Sequence, residues 1–213
     1  MTRAEVLTVA GPAGALETRL ELPAAEGAPT VFGVACHPHP LYGGTMDNKV
    51  THVLARAMLE SGAPAFRFNF RGVGASRGQF DNGRGETEDL AAVVAEGRRR
   101  YPSAALWLGG FSFGAFVALR AAAALGPVKL VAVAPPVARF ELGGVAHPDC
   151  DWMLVQGDAD DVVPPDAVLA WAAQQPRTPQ GRRPRLHVIA GAGHFFHGKL
   201  HELKPLVLDF LKA

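Results

Sequence analysis

The sequence predicts an α/β fold, a mainly parallel sheet of about eight strands with helices on both faces. Short, near-continuous apolar runs at 31–36, 106–111, 129–134 and 152–156 have the length and composition of strands buried on both sides. Between such runs lie segments with apolar residues at helical spacing, such as Val50, Val53, Leu54, Ala57 and Met58. The connections are short and rich in Gly and Pro, which stop one element before the next begins.

The chain's 213 residues are enough for one domain, 1–213, with a full hydrophobic core. Hydrophobic residues at 48% and charged residues at 19% place it among globular chains rather than disordered ones. Its 21 Lys and Arg nearly cancel its 20 Asp and Glu, so there is no electrostatic footprint for nucleic acid. Arg98, Arg99 and Arg100 read as a helix end, and Arg182, Arg183 and Arg185 as a solvated loop. No apolar stretch approaches the ~18 residues that cross a bilayer, and the N-terminus lacks the layout of a signal peptide. Cys36 and Cys150 have no metal-site spacing and are too few for a disulfide framework. Cys36, ending an apolar strand, reads as a buried structural thiol. The expected setting is a reducing cytoplasm, with no nucleic-acid and no membrane partner.

In chain order, 4–9 and 16–22 read as two strands around the turn Gly11-Pro12-Ala13-Gly14, with Arg19 and Glu21 marking a sheet edge. A loop at 24–29 precedes the strand at 31–36. The helix carrying Val50 to Met58 stops at Ser61-Gly62. A strand over 65–70 leads into a Gly- and Arg-rich loop, 71–85. The next helix presents Leu90, Val93, Val94 and Gly97 inward and ends at Tyr101-Pro102. After the strand at 106–111 come a helix at 115–125 and strands at 129–134 and 152–156. Pro164-Pro165 open a helix at 167–173. A surface loop at 175–184, a strand at 186–189 and a helix at 199–211 complete the chain.

One stretch carries chemistry. Gly110-Phe111-Ser112-Phe113-Gly114 sits where a strand turns sharply into a helix, the context in which G-x-S-x-G is a nucleophile elbow. The glycines let the turned backbone pass close to its neighbours, and Ser112 is pushed to the tip, near the helix N-terminus. On its own the motif is common by chance, so the other loops decide. In a parallel α/β sheet the ligand crevice lies beyond the carboxyl ends of the strands. A serine hydroxyl is a poor nucleophile at neutral pH and needs a base in contact. Gly193-His194-Phe195-Phe196, just past the last strand, offers His194. The loop after the preceding strand offers Asp158, Asp160 or Asp161 to orient that imidazole.

Five segments together resemble the α/β hydrolases, and more narrowly their compact, lidless bacterial members related to dienelactone hydrolases. They are His37-Pro38-His39-Pro40-Leu41-Tyr42-Gly43-Gly44-Thr45-Met46, Arg67-Phe68-Asn69-Phe70-Arg71-Gly72-Val73-Gly74-Ala75-Ser76, the Ser112 elbow, Gly157-Asp158-Ala159-Asp160-Asp161-Val162-Val163-Pro164, and Gly193-His194-Phe195-Phe196. The resemblance implies an α/β-hydrolase fold with no lid domain and a triad in the order Ser112, Asp160, His194. The family pattern G-x-x-D-x-x-V-P selects Asp160, with Asp158 and Asp161 as alternatives. It also implies an oxyanion hole made by the N–H of Phe113 and a second N–H from the loop after the third strand. Aligning His39-Pro40-Leu41 with the family's H-G-x makes Leu41 that donor, although a proline stands at the usual glycine position.

Other residues near these motifs have less specific readings. His37 reads as a polar residue that fixes the oxyanion loop, and His197 and His201 as solvent-facing or helix-capping. No metal is expected, since the histidines lack an H-E-x-x-H pattern. Arg71, Arg77 and Arg84 either brace the 71–85 loop or attract an acidic substrate. Phe111, Phe113, Phe195 and Phe196 read mostly as packing, with one or two lining an acyl pocket. The segment 136–151, where larger relatives insert a lid, is short, so an open, shallow site is expected. The expected activity is hydrolysis of small carboxylic esters, thioesters or lactones by a monomer or homodimer that needs no cofactor. An acyltransferase or perhydrolase with the same triad, and a non-catalytic binding member of the fold, are the alternatives.

Overall fold

The computed structural model describes residues 3–24, 27–140, 142, 148–177 and 183–213. Its strands are β1 (Arg3–Gly11), β2 (Gly14–Leu22), β3 (Val31–Cys36), β4 (Ala65–Phe68), β5 (Ala105–Phe111), β6 (Lys129–Val133), β7 (Asp151–Gly157) and β8 (Arg185–Ile189). The helices are α1 (Lys49–Glu60), α2 (Arg84–Arg100), α3 (Phe113–Leu125), α4 (Pro165–Gln174) and α5 (Leu200–Lys212). The eight strands form one sheet in the order β1-β2-β4-β3-β5-β6-β7-β8. β1, β2 and β4 pair antiparallel, and every pair from β4 through β3 to β8 is parallel. This is the α/β-hydrolase architecture that the motifs imply.

Both faces of the central strands are covered, which is why their sequences read as unbroken apolar runs. Successive side chains point to opposite faces. Leu106 and Leu108 of β5 enter a core with α2 and α3, whereas Trp107 enters a second core with α1 and α5. The β1–β2 hairpin closes at Gly11 opposite Gly14, and Gly14 takes a φ of 118° that an L side chain rarely adopts. Asn48 caps α1, its Oδ1 accepting the N–H groups of Val50 and Thr51. Glu86 reaches back to the N–H groups of Asp81 and Gly83 and fixes the start of α2.

Two strands end earlier than expected. β4 stops at Phe68 rather than at 70, because the N–H of Phe70 leaves the ladder and donates to Nε2 of His37 at 3.0 Å. β6 stops at Val133, and Ala134 turns away with a φ of 47°. The expected open loop at 136–151 falls partly outside the described residues, at 141 and 143–147, as does 178–182 of the surface loop with Arg182. Among the described residues no helix is long and apolar enough to cross a membrane.

Candidate active site

Ser112 lies between the last residue of β5 and the first of α3, with φ 53° and ψ −120°. That conformation disfavours a Cβ, and it is imposed by two close approaches on either side. A Cβ on Gly110 would strike the carbonyl of Gly114, and one on Gly114 would strike the carbonyls of Cys36 and His37. The elbow is therefore wedged against the loop after β3. The Ser112 N–H donates to Val133 O at 2.8 Å, anchoring the turn to the neighbouring strand.

The loops after β7 and β8 meet the elbow. His194 Nε2 stands 3.0 Å from Ser112 Oγ, and His194 Nδ1 stands 2.8 Å from Asp160 Oδ2. Asp160 Oδ1 accepts the N–H groups of Val162 at 2.9 Å and Val163 at 2.7 Å, and its Oδ2 also accepts from Gln156 Nε2 at 3.0 Å. All three residues are buried. Burial pushes the Asp160 carboxyl up. Hydrogen bonds from His194 and from the backbone of Val163 and Val162 outweigh this and hold it below the usual carboxylate range. A carboxylate facing Nδ1 requires the proton there, which leaves Nε2 free to accept from the serine hydroxyl.

Among the three acidic candidates, Asp160 is the one facing His194. Asp158 is exposed and accepts the Gly191 N–H at 2.6 Å, bracing the His194 loop, and Asp161 is exposed. Phe111 packs on the His194 ring at 5.0 Å between centroids, and Phe196 is buried behind it.

Ser112 and His194 open into a cavity of about 370 Å³ walled by Phe113, Phe140, Tyr42 and Phe195. Phe113, opening α3, has its N–H ahead of the helix's own hydrogen-bond ladder, at the positive end of the helix. His37 is fully buried, donates from Nδ1 to Pro38 O at 2.6 Å and accepts the Phe70 N–H on Nε2. Burial pulls its pKa down to about 4, so the ring is neutral and ties the loop after β3 to the loop after β4.

Leu41 is placed differently from expectation. Pro40 opens a short 3-10 turn, Pro40–Tyr42, which leaves Leu41 68% exposed and outside the cavity lining. Its N–H donates to Nδ1 of His39 at 3.2 Å. Leu41 is absent from the cavity lining, whereas His39, together with Pro38, Tyr42, Gly43 and Gly44 of the same loop, lines the cavity that holds Ser112 and Phe113.

The three arginines of the 71–85 loop are not in the cavity lining. Arg71 is buried and grips Asp89 through Nε and Nη2, with Glu88 at 3.2 Å. Arg84 pairs with Asp81, and Arg77 is exposed. His197 and His201 are exposed, and among the described residues no group of three His, Cys, Asp or Glu is placed to hold a metal. Two residues beside the site escaped the sequence reading. Gln156, the penultimate residue of β7, touches the Asp160 carboxylate, and Arg139, in the turn after β6, lines the cavity. The only sequence signal for Arg139 was its place on a crevice loop.

Fold and site geometry together define an α/β serine hydrolase. The chain belongs to the family described as serine aminopeptidase S33, of the α/β hydrolases, whose model matches residues 42–153. It is similar to a lidless α/β serine hydrolase of Xanthomonas campestris, at 42% identity, covering 99% of this chain and 94% of that one with a TM-score of 0.91. An α/β serine hydrolase homologue of Coxiella burnetii is 42% identical, with coverage of 98% and 97% and a TM-score of 0.89. An uncharacterized protein of Rickettsia prowazekii (strain Madrid E) is 32% identical over 94% of this chain and 86% of its own.

Proposed function

We propose that the protein hydrolyses small carboxylic esters, thioesters or lactones through an acyl-enzyme on Ser112. The observation that carries this reading is the unbroken relay from Ser112 Oγ through His194 to Asp160, with contacts of 3.0 and 2.8 Å. Ser112 Oγ attacks the carbonyl carbon while His194 Nε2 takes its proton. Asp160 stays ionised, holds the Nδ1–H tautomer and offsets the imidazolium charge. The imidazolium then protonates the departing alcohol or thiol, and water repeats the sequence in reverse to free the acid. For the developing oxyanion the reading assigns the N–H of Phe113 and, in place of Leu41, the N–H of His39. Placing His39 there is supported by its position on the cavity wall beside Ser112.

The cavity opens directly to solvent past Tyr42 and Phe195, which are 76% and 47% exposed. Small or exposed acyl groups suit such a site better than buried long chains. Both cysteines are free and buried, which fits a reducing compartment, and the reading places the enzyme in the cytoplasm. The test is labelling by a fluorophosphonate probe together with turnover of phenyl esters of short acids. Labelling and turnover are both expected, and both should vanish in Ser112→Ala. Folded wild-type protein that neither labels nor turns over any ester would make this a binding member of the fold. Capture of the acyl group by added alcohols or amines in preference to water would assign acyl transfer instead.

A further inference from the structure

Arg139 is the charged side chain among the residues that line the cavity, apart from the histidines. Of the other arginines near the crevice, Arg71 is committed to Asp89 and Glu88, Arg67 to Glu21 and Asp47, and Arg84 to Asp81, while Arg77 is exposed and outside the cavity lining. Arg139 is exposed and has no ion-pair partner among the described residues. Nor does the lining contain a carboxylate to oppose it, and the Asp160 side chain is shut behind His194 with no exposure of its own.

The guanidinium is carried by a fixed turn. The N–H groups of Arg139 and Phe140 both donate to Pro136 O, at 3.0 and 3.2 Å. Phe140 stacks on Phe116 of α3 at 4.7 Å and meets Phe113 edge-on at 5.4 Å. The cation therefore stands beside an aromatic wall that begins at the residue after the nucleophile. The His39 ring lies against the same wall, 5.0 Å from Phe113 and 6.1 Å from Phe140 between centroids, and after burial Arg139 is the second cause that lowers its pKa.

An arginine with no ion-pair partner among the described residues, beside apolar walls and a serine nucleophile, is matched by a ligand with a negative group on an apolar body. We propose that the natural substrate is an anionic ester, whose carboxylate pairs with Arg139 while its apolar part lies against Phe113 and Phe140. This deepens the ester-hydrolase reading above and rests on it. Arg139 is thereby a specificity residue, acting on the choice of substrate rather than on the bond-breaking step.

Three matched substrates test it: phenyl butyrate, its acyl-side anion (the monophenyl ester of glutaric acid) and its leaving-group anion (3-carboxyphenyl butyrate). Within each protein the ratio of kcat/KM for anion over neutral ester cancels any general loss of activity or of folded enzyme. In wild type at low salt at least one ratio should exceed one, with the gain in KM. That ratio should fall on the order of tenfold in Arg139→Gln and further in Arg139→Glu. It should also shrink as the salt is raised to about 1 M, where charges separated by more than ~3 Å are screened. Ratios at or below one in wild type, or a preference that survives in Arg139→Gln, would overturn the proposal. If none of the three esters turns over and Ser112 takes no fluorophosphonate, the hydrolase reading itself has failed and this one falls with it.

Discussion

Gln156 Nε2 lies 3.0 Å from Oδ2 of Asp160, the same carboxylate oxygen that faces His194 Nδ1. The amide also reaches the carbonyls of Gly157 and Val163, while its buried Oε1 has no partner among the described residues. An amide with one group unpaired, held in full burial near the end of β7, is costly unless its other half has a task. Its task here is to hold the carboxylate in register with the imidazole.

Gln156→Leu should therefore lower kcat for a short neutral ester about tenfold with KM little changed, a loss of roughly 1.4 kcal/mol in the transition state. Stability should fall, because the Asp160 carboxylate and the Gly157 and Val163 carbonyls lose a donor, so kcat is taken per folded enzyme. With one hydrogen bond fewer, the Asp160 carboxylate becomes more basic and stabilises the imidazolium more. The acid limb of the kcat profile should move to higher pH. A lowered kcat on an unmoved acid limb would show that Gln156 only fills space.

His37 sets an acid limit on stability. The unfolded chain protonates this side chain near its ordinary ~6.5, whereas in the folded protein burial holds the pKa down to about 4. Between those values the unfolded state binds the extra proton, so stability falls as pH drops through the window, by on the order of 3 kcal/mol in full. Burial lowers His39 and His52 in the same direction, so their contributions add. Urea unfolding at successive pH values from about 7 to about 4 reads the slope, roughly 1.4 kcal/mol per pH unit for each proton. The slope should lose about one proton in His37→Asn. An identical slope in that variant would mean that His37 is already protonated in the fold.

These dependences separate what local pattern reveals from what it hides. β3 and β5 are legible because both of their faces are buried and the apolar run has no gaps. Ser112, Asp160 and His194 are legible because each sits at the carboxyl end of a strand, where the chain must turn. The end of β4 is not, since what stops it is the ring of His37, on another strand's loop. The His-Pro-His-Pro run hides its register for a similar reason. His37 is legible as the bracing residue, but that His39 lines the cavity and Leu41 does not depends on the 3-10 turn that Pro40 opens. Arg139 faces the cavity because Phe140 stacks on Phe116, a contact between distant segments that no periodicity encodes.

The strain at Ser112 offers a measurement independent of turnover. Its φ of 53° and ψ of −120° suit glycine, and any side chain there is held against its preference by the packing of Gly110 and Gly114. Ser112→Ala removes the hydroxyl and keeps the Cβ, so the strain stays. Ser112→Gly removes both. The glycine variant should be the more stable of the two by about 1 kcal/mol, or roughly 2–4 °C in Tm for a chain of this length, with neither variant turning over esters. Glycine also loosens the unfolded chain, which works against that gain, so a positive difference is a lower bound on the strain. Equal or reversed stabilities would mean that the elbow is relaxed. The serine would then hold its place through its contact with His194, and the turn would impose nothing on it.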